Sequence, residues 1–176
     1  AEAKSDDATQ LAKMRAARDE LARLCDIAEP QSEHLRVLLA FLMSVEEEAI
    51  RKALDVDRQV EARLRKLESI AATDSRTVQL RLYWLKSTGK EAEIGDRLEQ
   101  YVAELESKVR DDRQRAQVYL VVVRMAGRME QHDVAEYWAR KAMELDDQQY
   151  RILIAPLIAR GKFDEALQLA LKKCRE

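Results

Sequence analysis

Apolar residues recur along this chain at steps of three and four, the repeat of one face of an α-helix. Leu11, Met14, Ala17, Leu21, Leu24, Cys25 and Ala28 trace the first face over residues 6–29. Pro30 ends that helix, because a residue preceding proline is pushed out of helical geometry. Ser32 then opens a second helix bearing Leu35, Leu38, Leu39 and Leu42. Ser44 stands three positions before Glu47, a spacing that predicts a reciprocal cap and a break in the chain. Ile50, Ala53, Val56, Val60, Leu64, Leu67 and Ala71 form the next stripe, within which Asp55 and Asp57 offer a separate start near residue 57. Thr73-Asp74-Ser75 predicts a stop and a fresh cap.

From Ser75 the rhythm becomes regular. Helices are expected to about Ser87, from the turn at Gly89 to about Arg110, from about Arg115 to Arg128, over Asp133–Leu145, from about Gln148 to Arg160, and over Phe163–Arg175. These are three helical hairpins, whose short turns make neighbours antiparallel. A lone hairpin cannot bury its apolar face, so stacking is the natural solution. Pro156 falls inside Ile152–Leu157 and predicts a kink there. Shifting the chain by 31 residues aligns Tyr119 with Tyr150, Val122 with Leu153, Ala135 with Ala166 and Ala139 with Ala170. A shift of 72 superposes Gly89-Lys90 on Gly161-Lys162, each a left-handed helix cap.

Gly161-Lys162-Phe163-Asp164-Glu165-Ala166, with Tyr119, Ala135, Ala139, Ala142 and Leu145, resembles the tetratricopeptide repeat, a helical hairpin of about 34 residues. The likeness covers residues 75–176. It departs from the family in unit lengths near 41 and 31, in Val122-Val123 where the family prefers Leu-Gly, and in Glu130 where it prefers glycine. The resemblance implies an all-α, right-handed solenoid of antiparallel hairpins. A less regular helical segment over residues 1–74 precedes it within one continuous domain, and about eight or nine helices are expected altogether.

Composition agrees with the helical reading. Ala, Glu, Lys, Leu and Arg fill 97 of 176 positions, against four glycines and two prolines, and a sheet protein needs far more turn residues. Thirty-one basic and thirty-three acidic residues leave a net charge of −2, which supplies no bulk attraction to nucleic acid or anionic membrane. The longest charge-free run is the nine residues Val37–Val45, short of the roughly 18 a membrane span needs. No basic-then-apolar leader opens the sequence, so a targeting signal is expected to be absent or already removed. Cys25 and Cys174 form no redox or metal motif, and the lack of a disulfide framework favours a reducing compartment such as the cytoplasm.

No candidate for catalysis emerges. Ser87-Thr88-Gly89-Lys90 lacks the spacing of a phosphate loop, since Trp84 and Glu91 stand where a glycine and a hydroxyl are required. His34 and His132 have no partner at zinc-ligand spacing. Glu46-Glu47-Glu48 suits a helix start, and Asp111-Asp112 with Arg113 and Arg115 reads as a mixed-charge linker. The expectation is a protein that is not an enzyme and carries no cofactor or metal.

What remains is surface. In tetratricopeptide repeats the inner face of each first helix lines a concave groove for peptides. Carried over by resemblance, with units starting at Ser75, Ala116 and Asp147, that face holds Arg76, Gln79, Tyr83, Lys86 and Ser87. It continues through Gln117, Leu120, Arg124, Gly127 and Arg128, then Gln148, Arg151, Ala155, Ile158 and Ala159. Five cations and no acid predict a groove for an acidic peptide, with Tyr83 and Leu120 as apolar anchors. The expected function is a non-enzymatic protein-protein interaction module, the other reading being a structural helical spacer or oligomerisation domain. The last helix carries Phe163, Ala166, Leu167, Ala170, Leu171 and Cys174 on one face. Either the chain belongs to a longer array, or this end packs on another copy or on the N-terminal helices.

Overall fold

The computed structural model describes residues 2–26 and 32–173, all of them helical or in short connections, with no strand among them. Ten α-helices follow in order: α1 (Glu2–Asp26), α2 (Ser32–Met43), α3 (Glu48–Ala53), α4 (Val56–Ala71), α5 (Ser75–Ser87), α6 (Glu93–Glu106), α7 (Asp112–Arg128), α8 (His132–Leu145), α9 (Tyr150–Ala159) and α10 (Phe163–Lys173). One 3-10 turn, Asp147–Gln149, leads into α9. Pro30, Cys174 and Arg175 lie outside the described residues. The chain divides into two compact units, Ala1–Arg81 and Leu82–Glu176. The boundary falls within α5.

In the first unit α1 packs on α2, α2 on α4 and α3 on α4. Leu35, Leu38, Leu39 and Leu42 of α2 are fully buried, as are Val60, Leu64 and Leu67 of α4. The stretch expected as one stripe from Ile50 divides at Leu54-Asp55, since Asp55 takes a left-handed conformation (φ 50°) that no helix interior accommodates. That division raises the helix number above the eight or nine expected. The reciprocal cap expected of Ser44 and Glu47 does not form. The Ser44 hydroxyl donates instead to the Phe41 carbonyl at 2.8 Å, and Glu47 precedes α3 without a side-chain cap. Asp74 behaves as expected, accepting from the Arg76 and Thr77 amides at 2.8 and 3.3 Å to cap α5.

In the second unit each helix packs on the next from α6 to α10, and α7 also touches α9. Asp111 caps α7 by accepting from the Gln114 amide at 2.7 Å, and the Gln114 side chain accepts from the Arg110 amide at 3.0 Å. Tyr119 and Trp138 stack with ring centroids 5.0 Å apart, joining α7 to α8. α9 runs through Pro156, which is buried, so the Ile152 carbonyl forgoes one helical donor.

Three turns of this unit are built alike. At the end of α5 the Lys90 amide donates to the Leu85 carbonyl (2.8 Å) and the Gly89 amide to Lys86 (3.2 Å). At the end of α7, Gln131 donates to Ala126 (2.9 Å) and Glu130 to Gly127 (3.1 Å); at the end of α9, Lys162 donates to Leu157 (2.8 Å) and Gly161 to Ile158 (2.9 Å). This pair of bonds is the Schellman cap, which needs a left-handed residue at its centre. Gly89 (φ 71°), Glu130 (φ 63°) and Gly161 (φ 72°) occupy that position. Only Glu130 incurs the Cβ penalty of the conformation, and its carboxylate meets the Lys86 ammonium at 2.9 Å. Glu130→Gly is therefore expected to raise the thermal midpoint of the second unit by about 2–4 °C, because an exposed ion pair returns little. An unchanged or lowered midpoint in a fluorescence melt would contradict this.

Candidate functional site

α7 presents two sharply different faces. Ala116, Tyr119, Leu120, Val122, Val123 and Ala126 are buried, whereas Arg113, Gln117, Arg124 and Arg128 are all exposed. Steps of four, seven and four place these four on one line along the helix, spanning about 22 Å at 1.5 Å per residue. No acidic residue of α7 shares that line. Its first-turn acid, Asp112, lies on another side and binds Arg115 at 2.6 Å. Arg115 also approaches Glu106 at 4.0 Å, and Glu106 accepts the Tyr119 hydroxyl proton. Burial, then that carboxylate, pushes Tyr119 up to about 12.

The residues expected to line a groove are distributed unevenly. Arg76 and Gln79 belong to the first unit, where Arg76 lies 3.9 Å from Glu33 and Gln79 is half-buried. Tyr83, in the second unit, is 46% exposed. Lys86 is engaged by Glu130, so an acid adjoins this cation after all. Gln117, Arg124 and Arg128 stand on the exposed line of α7, and Gln148 and Arg151 are exposed at the start of α9. Arg151 packs its guanidinium over Tyr150, 5.7 Å from the ring centroid, and donates to the Tyr150 hydroxyl at 3.2 Å. Leu120 is only 5% exposed. It lies in the core and offers no anchor, because the α7 surface at that position is already covered. Sequence reasoning passed over Arg113 as part of a linker, although its spacing from Gln117 and Arg124 carried the signal.

A second charged centre was not anticipated. Glu136 of α8 is 4% exposed, and its two carboxylate oxygens accept from Arg140 (2.7 Å), Arg160 (2.8 Å) and Lys162 (2.7 and 2.9 Å). Arg140 also binds Glu165 at 2.6 Å. Burial alone would push the Glu136 carboxyl up, yet the hydrogen bonds and charges of Lys162 and Arg140 outweigh it and hold the group down at about 2. The cluster ties α8 to the turn between α9 and α10. All of these bonds lie within the second unit.

Among the described residues no group of three or more His, Cys, Asp and Glu side chains is placed to hold a metal ion. His34 is exposed, His132 half-buried and Cys25 buried. No helix among them is long and apolar enough to cross a membrane. A depression of about 210 Å³ lined by Glu48, Arg51, Lys52, Asp55, Val56 and Asp57 is smaller than the roughly 300–1,000 Å³ typical of ligand pockets. Comparison with family models, curated proteins and solved structures finds no match to this chain.

Proposed function

We propose that this protein is a non-enzymatic interaction module whose second unit, a tetratricopeptide-like stack of antiparallel hairpins, holds an acidic peptide segment of a protein partner. The observation that carries the reading is the exposed line of Arg113, Arg124 and Arg128 on α7, with Gln117 between them and no acidic residue of α7 on the same line. Arginine forks bind carboxylates bidentately and confer orientation as well as charge attraction. The repeat reading is supported by the three Schellman turns built alike and by the contact of α7 with both α8 and α9. Gln148 in the turn before α9 and Arg151 of α9 extend the polar surface, and Tyr83 offers an aromatic contact.

A fluorescent peptide of alternating glutamate and serine is the probe, with its lysine counterpart as control, read by anisotropy. Binding of the acidic peptide alone is expected, weakening steeply with salt because the contacts are exposed. The double variant Arg124→Glu/Arg128→Glu is expected to lose at least tenfold in affinity while its helical circular dichroism is unchanged. Equal capture by the variant, or equal binding of the basic peptide, would refute an acidic ligand.

A further inference from the structure

α10 also has two faces. Ala166 is buried and Leu169 and Ala170 are half-buried, in keeping with the packing of α10 on α9. Phe163, Leu167 and Leu171 are 63%, 58% and 49% exposed. Single exposed apolar residues need no explanation, but three at successive steps of four make a continuous stripe. The stripe is symmetric about its middle. Reversing the chain direction exchanges Phe163 with Leu171 and leaves Leu167 on itself, the self-complementarity that a two-fold contact requires.

The charges of the helix are polarised in the matching sense. Asp164 and Glu165 occupy its first turn, and Lys172 stands exposed near its other end. Two copies of α10 laid antiparallel set the acidic end of each against the basic end of the other and oppose their dipoles. A parallel arrangement would set like charge against like. We propose that the Phe163–Leu167–Leu171 stripe is a homodimer contact in which α10 pairs antiparallel with α10 of a second copy, with Leu167 on the two-fold axis. A helix about 16 Å long buries less than the roughly 800 Å² per partner of a standard interface. The dimer is accordingly weak, with a dissociation constant of about 10⁻⁴ M once the entropy of association is met.

Sedimentation over concentrations about tenfold either side of that value tests it on the full chain. The wild type is expected to shift from monomer to dimer. Leu167→Glu, at an already exposed position, sets two carboxylates together on the axis and is expected to remain monomeric with unchanged helicity. Asp164→Lys alone should weaken the dimer at least threefold, and Asp164→Lys/Lys172→Asp should restore it, because the double exchange reverses the polarity of both copies together. Glu165 is left in place since it holds Arg140. A wild type that stays monomeric overturns the contact, and a dimer that survives Leu167→Glu assigns self-association to another surface such as α1. Failure of the double exchange to restore the dimer overturns the antiparallel arrangement. None of these residues lies on the arginine line of α7, so Arg124→Glu/Arg128→Glu should leave the dimer intact, and either proposal can fail without the other.

Discussion

Replacing Glu136 by alanine is expected to destabilise the second unit by about 2–3 kcal/mol, lowering its thermal midpoint by about 8–20 °C. The carboxylate is the common acceptor for Arg140, Arg160 and Lys162. Without it three cations drawn from α8 and the α9–α10 turn repel one another, and Glu165 answers only Arg140. The cations are 37–42% exposed, so they relax toward water, which keeps the loss below that of a fully buried network. Both tryptophans, Trp84 and Trp138, belong to this unit, so tryptophan fluorescence reports its unfolding directly. A midpoint within 1–2 °C of wild type would show that the cluster contributes nothing net.

The same group sets an acid dependence. Its folded-state value, about 2, lies below the ordinary 4.5, so the carboxylate form is stabilised by folding. That contribution is present in full above about pH 5 and is lost as the pH falls toward about 2. Its size is on the order of 2 kcal/mol after allowing for the solvent that reaches the three cations. Glu136→Gln removes the titration, so the stability gap between wild type and variant should close as the pH falls from 5 to 2. A gap independent of pH would mean that shape, not charge, holds this junction.

Arg81→Met is expected to cost the first unit about 3 kcal/mol. Arg81 is 11% exposed and binds Glu68 with two parallel bonds (3.0 and 2.7 Å) and Glu61 with a third (2.7 Å). For Glu61, burial works against ionisation, but Arg81 and then Arg65 outweigh it and lower its value. Methionine fills similar space yet leaves the partly buried Glu61 and Glu68 carboxylates of α4 without the cation that bridges them. Amide hydrogen exchange in α4 should accelerate about a hundredfold where it proceeds through opening of the unit. The triple variant Arg81→Met/Glu61→Gln/Glu68→Gln should recover most of the loss, since removing the charges together spares the burial of carboxylates that have lost their shared cation. A triple variant as unstable as the single one would place the cost in packing instead.

Local patterning carried much of this structure. The apolar steps through Leu35–Leu42 and Val60–Leu67 located α2 and α4, Asp74 marked a helix start, and Gly89 and Gly161 marked helix ends, whereas Asp111, which reads as a linker residue, caps α7 about three residues before the expected start near Arg115. Each of these depends on the helical repeat or on a bond between near neighbours in sequence. The misreadings came where local rules compete. Ser44 had two acceptable bonds, a forward cap or a backward bond to Phe41, and took the second. Glu130, by contrast, stands where the repeat prefers glycine and takes the left-handed conformation that a glycine would. On the candidate surface, Arg124, Arg128 and Leu120 came from the resemblance to the tetratricopeptide repeat; the first two are exposed, while Leu120 is buried, because position within a repeat does not tell whether another helix covers a given turn.

By itself, then, the sequence determined an all-helical chain and the places where most of its helices begin and end. Those properties follow from steric and hydrogen-bonding rules that act within a few residues. Only the tertiary structure decided that Arg81 joins Glu61 and Glu68, that Glu136 is buried beneath Arg160 and Lys162, and that Leu120 is core while Leu167 is surface. Those partners are separated by up to 26 positions, and no local rule selects among the 31 basic and 33 acidic residues the few that packing brings within 3 Å.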